Sequence, residues 1–425
     1  MENYDLAVIG GGFAGLAAAV SASRLGAKTI LVEKSGALGG AMNLALVMPF
    51  MKNGTVIDGK FTRLSEGIFA EICTEASKLM HECEGIETDP ALLWNYNEEY
   101  MKIVFNRLAI KYGVTLLFHS YLSEVKKDGD KITSAVLCGR SGKFELSAKV
   151  FVDATGDATL AYLSGCPFRL GRDDGLCQPM TLCFRVGGVD RETVRTLPSK
   201  VKDINALYNK FKSDGKIKNP REDVLMFRTF VDGCIHFNST RVVKLNPTDP
   251  LDLSKAEIQA REQVLELFLF MKNNIPGFEN AELIMTANEI GVRESRMIVG
   301  KYVLTGDDLK NCTKFEDSIA FGNYDIDIHN PEGSGTSHYY FGPGEYYSIP
   351  YRSLVPQKVL NLLVAGRCIS ADHDAQASIR IMPIVCTIGE AAGTAAALCA
   401  GTGIKPENLD TVKLREILKQ NGALC

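Results

Sequence analysis

The chain has 425 residues, of which 46% are hydrophobic and 23% charged, and its formal net charge is −4. This composition is typical of a soluble globular protein, and the length predicts two or three domains. The slight acidity provides no basic surface for nucleic acid, and no uncharged apolar stretch is long enough to span a bilayer. We therefore expect neither nucleic acid nor a membrane as a partner.

Twelve cysteines are scattered through apolar segments, and no two of them have the spacing C-x-x-C. That absence argues against a redox-active disulfide, an iron–sulfur cluster and a structural zinc site, so no metal site is predicted. Buried reduced thiols are typical of cytoplasmic proteins. The acidic start Met-Glu-Asn-Tyr-Asp also lacks the pattern of a signal peptide. We therefore expect a cytoplasmic protein.

The first thirty-odd residues have the pattern of a dinucleotide-binding βαβ unit. An apolar run of strand character at 4–9 leads into glycines with the spacing G-x-G-x-x-G. An Ala-rich segment without helix breakers follows at 16–25, and a second apolar strand at 28–32 ends on Glu33. Because all these parts agree within about thirty residues, dinucleotide binding is favoured over a simple glycine turn.

Each residue of the glycine motif suits nucleotide binding for a physical reason. Gly10 allows a tight turn, Gly12 lets the backbone approach a pyrophosphate, and Gly15 lets the helix lie close to the strands. The phosphates would meet the free N–H groups at the start of that helix. Glu33 can accept both ribose hydroxyls and would repel a 2′-phosphate. The motif therefore predicts FAD or NAD, without choosing between them.

The next segment contains a second glycine pair and two predicted helices. Gly39 and Gly40 permit close packing of backbone against a large planar ligand, although a simple loop is the alternative. Apolar residues recur at helical spacing between 60 and 82. Asp89-Pro90 is typical of a helix start, which predicts a helix over 91–112.

A strand at 113–118 and a small antiparallel meander follow, with an Asp-Gly turn at 128–129. The chain then returns as an apolar strand that stops on small residues at 153–157. Such an end suits a strand that runs under a bound nucleotide, and an ordinary strand-to-loop turn is the alternative. In company with the first motif, the nucleotide interpretation is favoured.

Between 163 and about 338 the composition changes, and scattered strands and helices predict a mixed α+β insert. A capping-box pattern at Ser254 predicts a helix that ends near 273. The segment 287–296 is charged but lies between apolar runs. If it were helical, Glu289 would pair with Arg293. A buried ion-pair scaffold and a substrate-anion site are both open for this segment.

In the last third, a strand at 359–364 is followed by a polar bend at 373–380. Pro383 then begins a helix of small residues that continues to Ala400. A helix with so many glycines and alanines can pack very close to a neighbour. We predict that it packs against the helix after Gly15.

Taken together, these features resemble the FAD-dependent oxidoreductases of the glutathione-reductase-like superfamily, with fumarate reductase and L-aspartate oxidase as more distant relatives. The resemblance covers nearly the whole chain. It rests on the N-terminal glycine motif with Glu33 and on five further segments: 153–157, 291–296, 349–354, 365–370 and 377–383.

The resemblance implies an α/β fold with a Rossmann-like FAD-binding domain and a mixed α+β substrate (cap) domain. The FAD-binding domain would comprise 1–45, 98–162 and 348–425, and the cap would comprise 46–97 and 163–347.

The resemblance also implies FAD as the cofactor and assigns its contacts. Gly10, Gly12 and Gly15 would hold the pyrophosphate, and Glu33 the ribose. Leu122 would meet the adenine, Asp372 the ribityl chain, and Ile381 with Met382 the pyrimidine end of the flavin. The remaining implied contacts are Phe13, Ala14, Lys34, Gly39, Gly40, Ala41, Ala154, Thr155, Gly156, Asp157, Gly366 and Arg367.

Candidate catalytic residues are polar groups expected near the flavin that could clamp an anion or move a proton. Arg380 is the first candidate because it precedes the helix that should face the flavin. A purely structural role is the alternative for each of them. The other candidates are His373, His338, Arg293, Arg352 and Arg241.

The predicted function is that of a flavin dehydrogenase or reductase that acts on a small anionic metabolite. A flavin oxidase or monooxygenase that uses oxygen is one alternative, and an FAD-binding electron-transfer subunit is another. No second nucleotide-binding motif is present, so NAD(P)H has no evident docking domain. A protein or nicotinamide electron partner and an oligomeric assembly are left open.

Overall fold

The structure is a computed structural model that describes residues 3–425. Short 3₁₀ helices lie at Pro90–Leu92, Tyr351–Leu354 and Pro406–Asn408. The α-helices of this described part are α1 Phe13–Arg24, α2 Ala41–Leu44, α3 Ile68–Glu84, α4 Glu98–Lys111, α5 Thr159–Leu163, α6 Arg191–Ser213, α7 Pro250–Asn274, α8 Gly306–Lys310, α9 His373–Ile379, α10 Met382–Thr402 and α11 Thr411–Gln420.

The strands are short, and most belong to small sheets. In chain order they are β1 Tyr4–Ile9, β2 Thr29–Val32, β3 Gly54–Ile57, β4 Lys60–Arg63, β5 Thr115–Leu117, β6 Tyr121–Asp128, β7 Lys131–Gly139, β8 Gly142–Leu146, β9 Ala148–Asp153, β10 Phe168–Leu170, β11 Phe184–Gly187, β12 Met226–Arg228, β13 Ile235–Phe237, β14 Glu282–Thr286, β15 Arg296–Ile298, β16 Ser318–Gly322, β17 Ile326–His329, β18 Thr336–Tyr339, β19 Tyr347–Pro350 and β20 Leu362–Val364.

A five-stranded parallel sheet with the order β20-β9-β1-β2-β5 forms the centre of the molecule. In its middle strand, Val8 pairs with Leu31 on one side and with Val152 on the other. These strands are almost wholly buried, which explains why they read as unbroken apolar runs rather than alternating ones. The predicted α/β, Rossmann-like fold is confirmed.

Helices α1 and α10 pack so closely that two glycines of α10 have no room for a side chain. A Cβ placed on Gly389 would lie 2.1 Å from the carbonyl oxygen of Ala14, and one on Gly393 would lie 2.0 Å from that of Ala18. The predicted contact between the two small-residue helices is confirmed. By length and composition alone α10 could cross a membrane, but 89% of its most apolar window is buried inside the protein.

A second hydrophobic core lies in the insert. The antiparallel sheet β12-β13-β11-β14 packs there with α6 and α7, around residues such as Phe184, Phe237 and Leu267. The mixed α+β character predicted for this segment is therefore present. The first core surrounds the parallel sheet. Helix α3 and strand β16 contribute their buried residues to that first core. The predicted domain bounds stay a prediction.

Several predicted helix bounds were wrong. The helix expected over 91–112 begins at Glu98, because the side chain of Asn97 caps it, and Pro90 opens only a short 3₁₀ turn. Asp249 caps α7, so that helix begins four residues before Ser254. In each case a nearer or better-placed cap determined the start.

Candidate cofactor cleft and active site

The carboxyl ends of the parallel strands open into one cleft. Strands β1, β2, β9 and β20 all point toward it, as expected at this edge of a doubly wound sheet. All but four of the predicted cofactor contacts line the cleft. Those that do are Gly10, Gly12, Phe13, Ala14, Glu33, Lys34, Gly39, Gly40, Ala41, Ala154, Thr155, Gly156, Asp157, Gly366, Arg367 and Met382.

The first glycine loop has two kinds of glycine. Gly10 has φ +104°, and a Cβ there would lie 2.4 Å from the carbonyl oxygen of Ala154, so the fold itself requires glycine. A Cβ on Gly12 would find only the Cα of Gly40, at 3.8 Å. The fold therefore leaves room at Gly12. Glycine at this position instead allows a ligand to approach the backbone closely.

The second glycine pair closes the loop from the opposite side. Gly39 and Gly40 have φ +122° and +53°, and the N–H of Gly39 donates to the carbonyl oxygen of Gly11 at 2.9 Å. A Cβ on Gly40 would lie 3.0 Å from the Cα of Gly12. Two bare stretches of backbone thus lie in contact, and their exposed main-chain groups suit a pyrophosphate bound beside them.

Glu33 is held in place by main-chain donors. Its Oε2 accepts from the N–H of Gly11 at 2.7 Å, and its Oε1 accepts from the N–H of Ser35 at 2.8 Å. The side chain is only 5% exposed. Each carboxylate oxygen keeps a further lone pair, so the group can also accept from ribose hydroxyls.

Asp157 joins three segments at the other wall of the cleft. Its Oδ1 accepts from Nη2 of Arg367 at 2.7 Å and from Oγ of Ser295 at 2.6 Å. The guanidinium carbon of Arg367 lies over Gly156, where a Cβ would be 3.1 Å away. The buried Nε of Arg367 has no hydrogen-bond partner within residues 3–425. This arrangement leaves a buried donor for a ligand.

Four predicted cofactor contacts do not line the cleft. Gly15 lies beneath it, where a Cβ would be 1.8 Å from the carbonyl oxygen of Gly10. Leu122 is buried in the β6–β7 hairpin, and Ile381 is the buried N-cap residue of α10. The carboxylate of Asp372 accepts from the N–H groups of Ala375 and Gly306, and so caps α9.

The sequence reasoning missed cleft residues contributed by the insert. Glu289, Ile290, Gly291 and Val292 line the cleft, as do Gly11, Leu44, Ala45 and Val385. The segment 287–296 is irregular rather than helical before β15. Glu289 therefore does not pair with Arg293 but with Lys34 across the cleft, at 2.7 Å. The mixture of charged and apolar residues in 287–296 was the sequence feature that could have indicated this contribution to the cleft.

Arg380 lines the cleft, and part of its hydrogen-bonding capacity is not used by the protein. Its Nη2 donates to the carbonyl oxygen of Asp327 at 3.2 Å and lies 3.4 Å from Oδ2 of the same residue. Its Nε is buried and has no hydrogen-bond partner in the described part of the chain. A donor buried without a partner costs free energy, and a bound acceptor would recover it.

Arg293 lies close enough to Arg380 for the two charges to interact, although it is not itself among the residues that line the cleft. Its Nη1 donates to the carbonyl oxygen of Pro179 at 2.7 Å and to the hydroxyl of Thr181. Burial, and after it the charge of Arg380, lower the pKa of the Arg293 guanidinium to about 9. Two cations therefore repel each other here, and an anion between them would be attracted to both.

Asp327 only partly balances these charges. Burial favours its protonated form, but the hydrogen bond with His329 and the charge of Arg380 hold the pKa of the carboxyl well below its usual range. Burial and the charge of Arg293 lower the pKa of His329 to about 3, so that imidazole is neutral at pH 7. Arg293 and Arg380 thus bring two positive charges to this region and Asp327 one negative charge, and the carboxyl of Asp325 lies near enough to interact with Asp327.

The other catalytic candidates do not line the cleft. Arg241 is buried and donates to Glu222 and to the carbonyl oxygens of Gly333 and Gly335. Each of the others has a carboxylate partner elsewhere. Arg352 pairs with Asp317, His338 with Asp325, and His373 with Glu294.

A protein-family model described as FAD dependent oxidoreductase matches residues 5–418. The mitochondrial dihydrolipoyl dehydrogenase of Dictyostelium discoideum is 30% identical over 132 residues, which are 31% of this chain and 24% of that protein. The chain thus matches about a quarter of the length of that curated relative.

Solved structures with a similar course of the chain are distant. A geranylgeranyl bacteriochlorophyll reductase-like protein from Thermoplasma acidophilum has a TM-score of 0.46 at 13% identity, over 99% of this chain and 84% of its own. The flavin-dependent brominase Bmp2 has a TM-score of 0.49 at 13% identity, over 99% and 84%. The p-nitrophenol 4-monooxygenase PnpA from Pseudomonas putida DLL-E4 has 0.46 at 13%, over 98% and 84%.

Proposed function

The chain belongs to the FAD-dependent oxidoreductase family, and we propose that it oxidises or reduces a small anionic organic substrate by hydride transfer. We also propose that the family belongs to the glutathione-reductase-like superfamily, with the fumarate reductase and L-aspartate oxidase flavoproteins as distant relatives. The proposal rests on one observation above all. Arg380, which has a buried donor without a partner in the described part of the chain, lines the cleft that suits FAD, and the charge of Arg293 lies close beside it.

The residues present fit the cofactor. Gly12 and Gly40 leave a cradle that a Cβ would fill, Glu33 offers a fixed acceptor for ribose, and Arg367 has an orphaned buried donor. When bound, FAD supplies the acceptance and release of a hydride. The rest of the site serves to bind, to orient and to place charge.

The start of α10 adds positive potential beside the two arginines. Among residues 3–425 no side chain caps this helix at Ile381, and Met382 in its first turn lines the cleft. The N–H groups of the first turn are therefore free to stabilise negative charge in the cleft. The carboxylate of Asp327 holds one edge of the Arg380 guanidinium and leaves its Nε for a ligand.

Anion titration of the FAD-loaded protein tests the proposal. Small carboxylates should perturb the visible flavin spectrum and raise the melting temperature, because a ligand of the folded state stabilises it. Arg293→Met should weaken their binding about tenfold or more, since hydrogen bonds between charged groups contribute about 1.5–3 kcal/mol. Arg352→Met is the matched control, because Arg352 pairs with Asp317 outside the cleft.

Two results would count against the proposal. Equal binding of carboxylates and of their neutral amides would show that charge is not recognised. An unchanged affinity in Arg293→Met would remove that residue from the site.

Rapid oxygen consumption by the dithionite-reduced protein would favour an oxidase or monooxygenase. Electron transfer only in the presence of a copurifying protein would favour the electron-transfer subunit. In either case, dehydrogenase or reductase activity would be rejected.

A further inference from the structure

Beside the cofactor cleft lies a second cavity of about 730 Å³, which we call the aromatic pocket. Its walls include Phe50, Phe61, Phe69, Trp94, Tyr340 and Phe341. Cavities of this volume are typical of sites for organic ligands. None of the predicted FAD contacts lines the aromatic pocket, and the proposed function above does not explain it.

Two links join the aromatic pocket to the end of the cleft that holds the arginines. Met382 lines the cleft, and the next residue, Pro383, lines the pocket. Tyr324 also lines the pocket, and its hydroxyl donates to Oδ2 of Asp327 at 3.1 Å. That same oxygen lies 3.4 Å from Nη2 of Arg380. One carboxylate oxygen thus separates the pocket wall from the arginine.

Most polar groups of the pocket lining already form hydrogen bonds within the protein. Asn53 accepts from the N–H of Asn323 at 3.1 Å, and Asn323 in turn exchanges two hydrogen bonds with the backbone of Gly54. Arg63 is paired with Glu66 through both Nε and Nη2. These groups build the walls and leave mainly aromatic surface for a ligand.

The rim of the aromatic pocket is apolar and open to solvent. Phe61 is 41% exposed, Trp94 45% and Leu92 61%. Single exposed apolar residues are ordinary, but a cluster around a cavity indicates a surface that something covers. Since the pocket adjoins the cleft at Pro383 and Tyr324, we take the substrate of the cleft as the occupant of the pocket.

We propose that the substrate is an anion carried on an apolar body of about the size of a phenyl group or larger. Its acid group lies at Arg293 and Arg380, and its body lies in the aromatic pocket. This inference rests on the proposed function for the acid group, and it adds the class of molecule that the site selects.

The test compares acids that differ only in their apolar body, using the FAD-loaded protein. Acetate and 3-phenylpropionate are titrated against the flavin spectrum, together with the neutral 3-phenylpropan-1-ol. In the wild-type protein, 3-phenylpropionate should bind at least about tenfold more tightly than acetate, because its ring leaves water.

Two variants change the pocket with little risk to folding, because both positions are exposed. Phe61→Ser removes a wall, and Ala91→Trp fills the cavity. Each should reduce the affinity for 3-phenylpropionate about fivefold or more and leave that for acetate unchanged. Leu251→Ser is the matched control, because Leu251 is 71% exposed on α7 away from the cavity.

The results distinguish the inference about the aromatic pocket from the proposal of an anion site. If acetate and 3-phenylpropionate bind equally, or if neither pocket variant affects the aromatic acid, the aromatic pocket is not the substrate site and this inference is rejected. If Arg380→Met leaves both acids unaffected, the anion site is rejected instead. In that event, binding of 3-phenylpropan-1-ol that Ala91→Trp abolishes would still support an apolar body in the pocket.

Discussion

The two halves of the cleft are built by different means. The nucleotide half consists mainly of strand ends and bare glycine backbone, with Glu33, Asp157 and Arg367 among its polar side chains. The substrate half consists of side chains from distant segments, such as Arg293, Asp327 and Arg380. The first half binds a ligand through main-chain shape, and the second through charge placed by tertiary packing.

This difference determines how each half responds to change. A single Cβ can block the nucleotide half, because its surface is backbone. In the substrate half, loss of one side chain removes a charge and leaves the shape of the cleft nearly intact. Four substitutions test this contrast, in order of decreasing expected effect.

Gly12→Ala should fold normally but lose FAD. The new Cβ meets no atom of residues 3–425 nearer than the Cα of Gly40, at 3.8 Å, yet it stands on the bare backbone that lines the cleft. We expect FAD affinity to fall by about a hundredfold or more, because the pyrophosphate needs close backbone approach. Titration of the apoprotein with FAD measures the loss.

Gly401→Ala is the control, since a Cβ there meets nothing within 4 Å. Normal FAD affinity in Gly12→Ala would show that the ligand does not rest on this backbone.

Arg380→Met should retain FAD and change the electrostatics of the substrate half. Removal of a positive charge near the flavin should make its reduction potential more negative, and turnover should fall by about a hundredfold. Potentiometry and thermal melting on the same protein provide the measurement. A lower melting temperature with an unaltered potential would mean that Arg380 only pairs with Asp327.

Glu33→Ala should weaken FAD binding without unfolding the protein. It removes a charged acceptor for ribose, which contributes about 1.5–3 kcal/mol, or roughly ten- to a hundredfold in the dissociation constant. The same variant should discriminate less against adenosine 2′-phosphate. Equal affinity for FAD in variant and wild type would contradict a contact between Glu33 and the ribose.

Lys34→Met should have the smallest effect. It breaks the ion pair with Glu289 that crosses the mouth of the cleft, and both side chains are about half exposed. Such a pair contributes below about 1 kcal/mol, so FAD release should speed up less than fivefold, and the difference should disappear at 1 M salt. Lys78→Met, which breaks an exposed pair on α3, is the control.

The same contrast explains what the sequence could reveal. The glycine loop, Glu33 and the strand end at Asp153 are local patterns with fixed spacing, and the structure brings them to one cleft. The lining by 289–292 depends on how the insert folds back, which no local pattern encodes. Arg352 and Arg380 are both candidates from the sequence, yet of the two only Arg380 lines the cleft.

The close packing of α1 on α10 has a consequence for how the chain is made. Ala14 precedes its partner Gly389 by about 370 residues, which a ribosome adding 5–20 residues per second takes roughly 20 to 75 s to synthesise. Until then, the small-residue face of α1 has no permanent partner. The nucleotide half of the cleft is therefore begun first in translation and completed last.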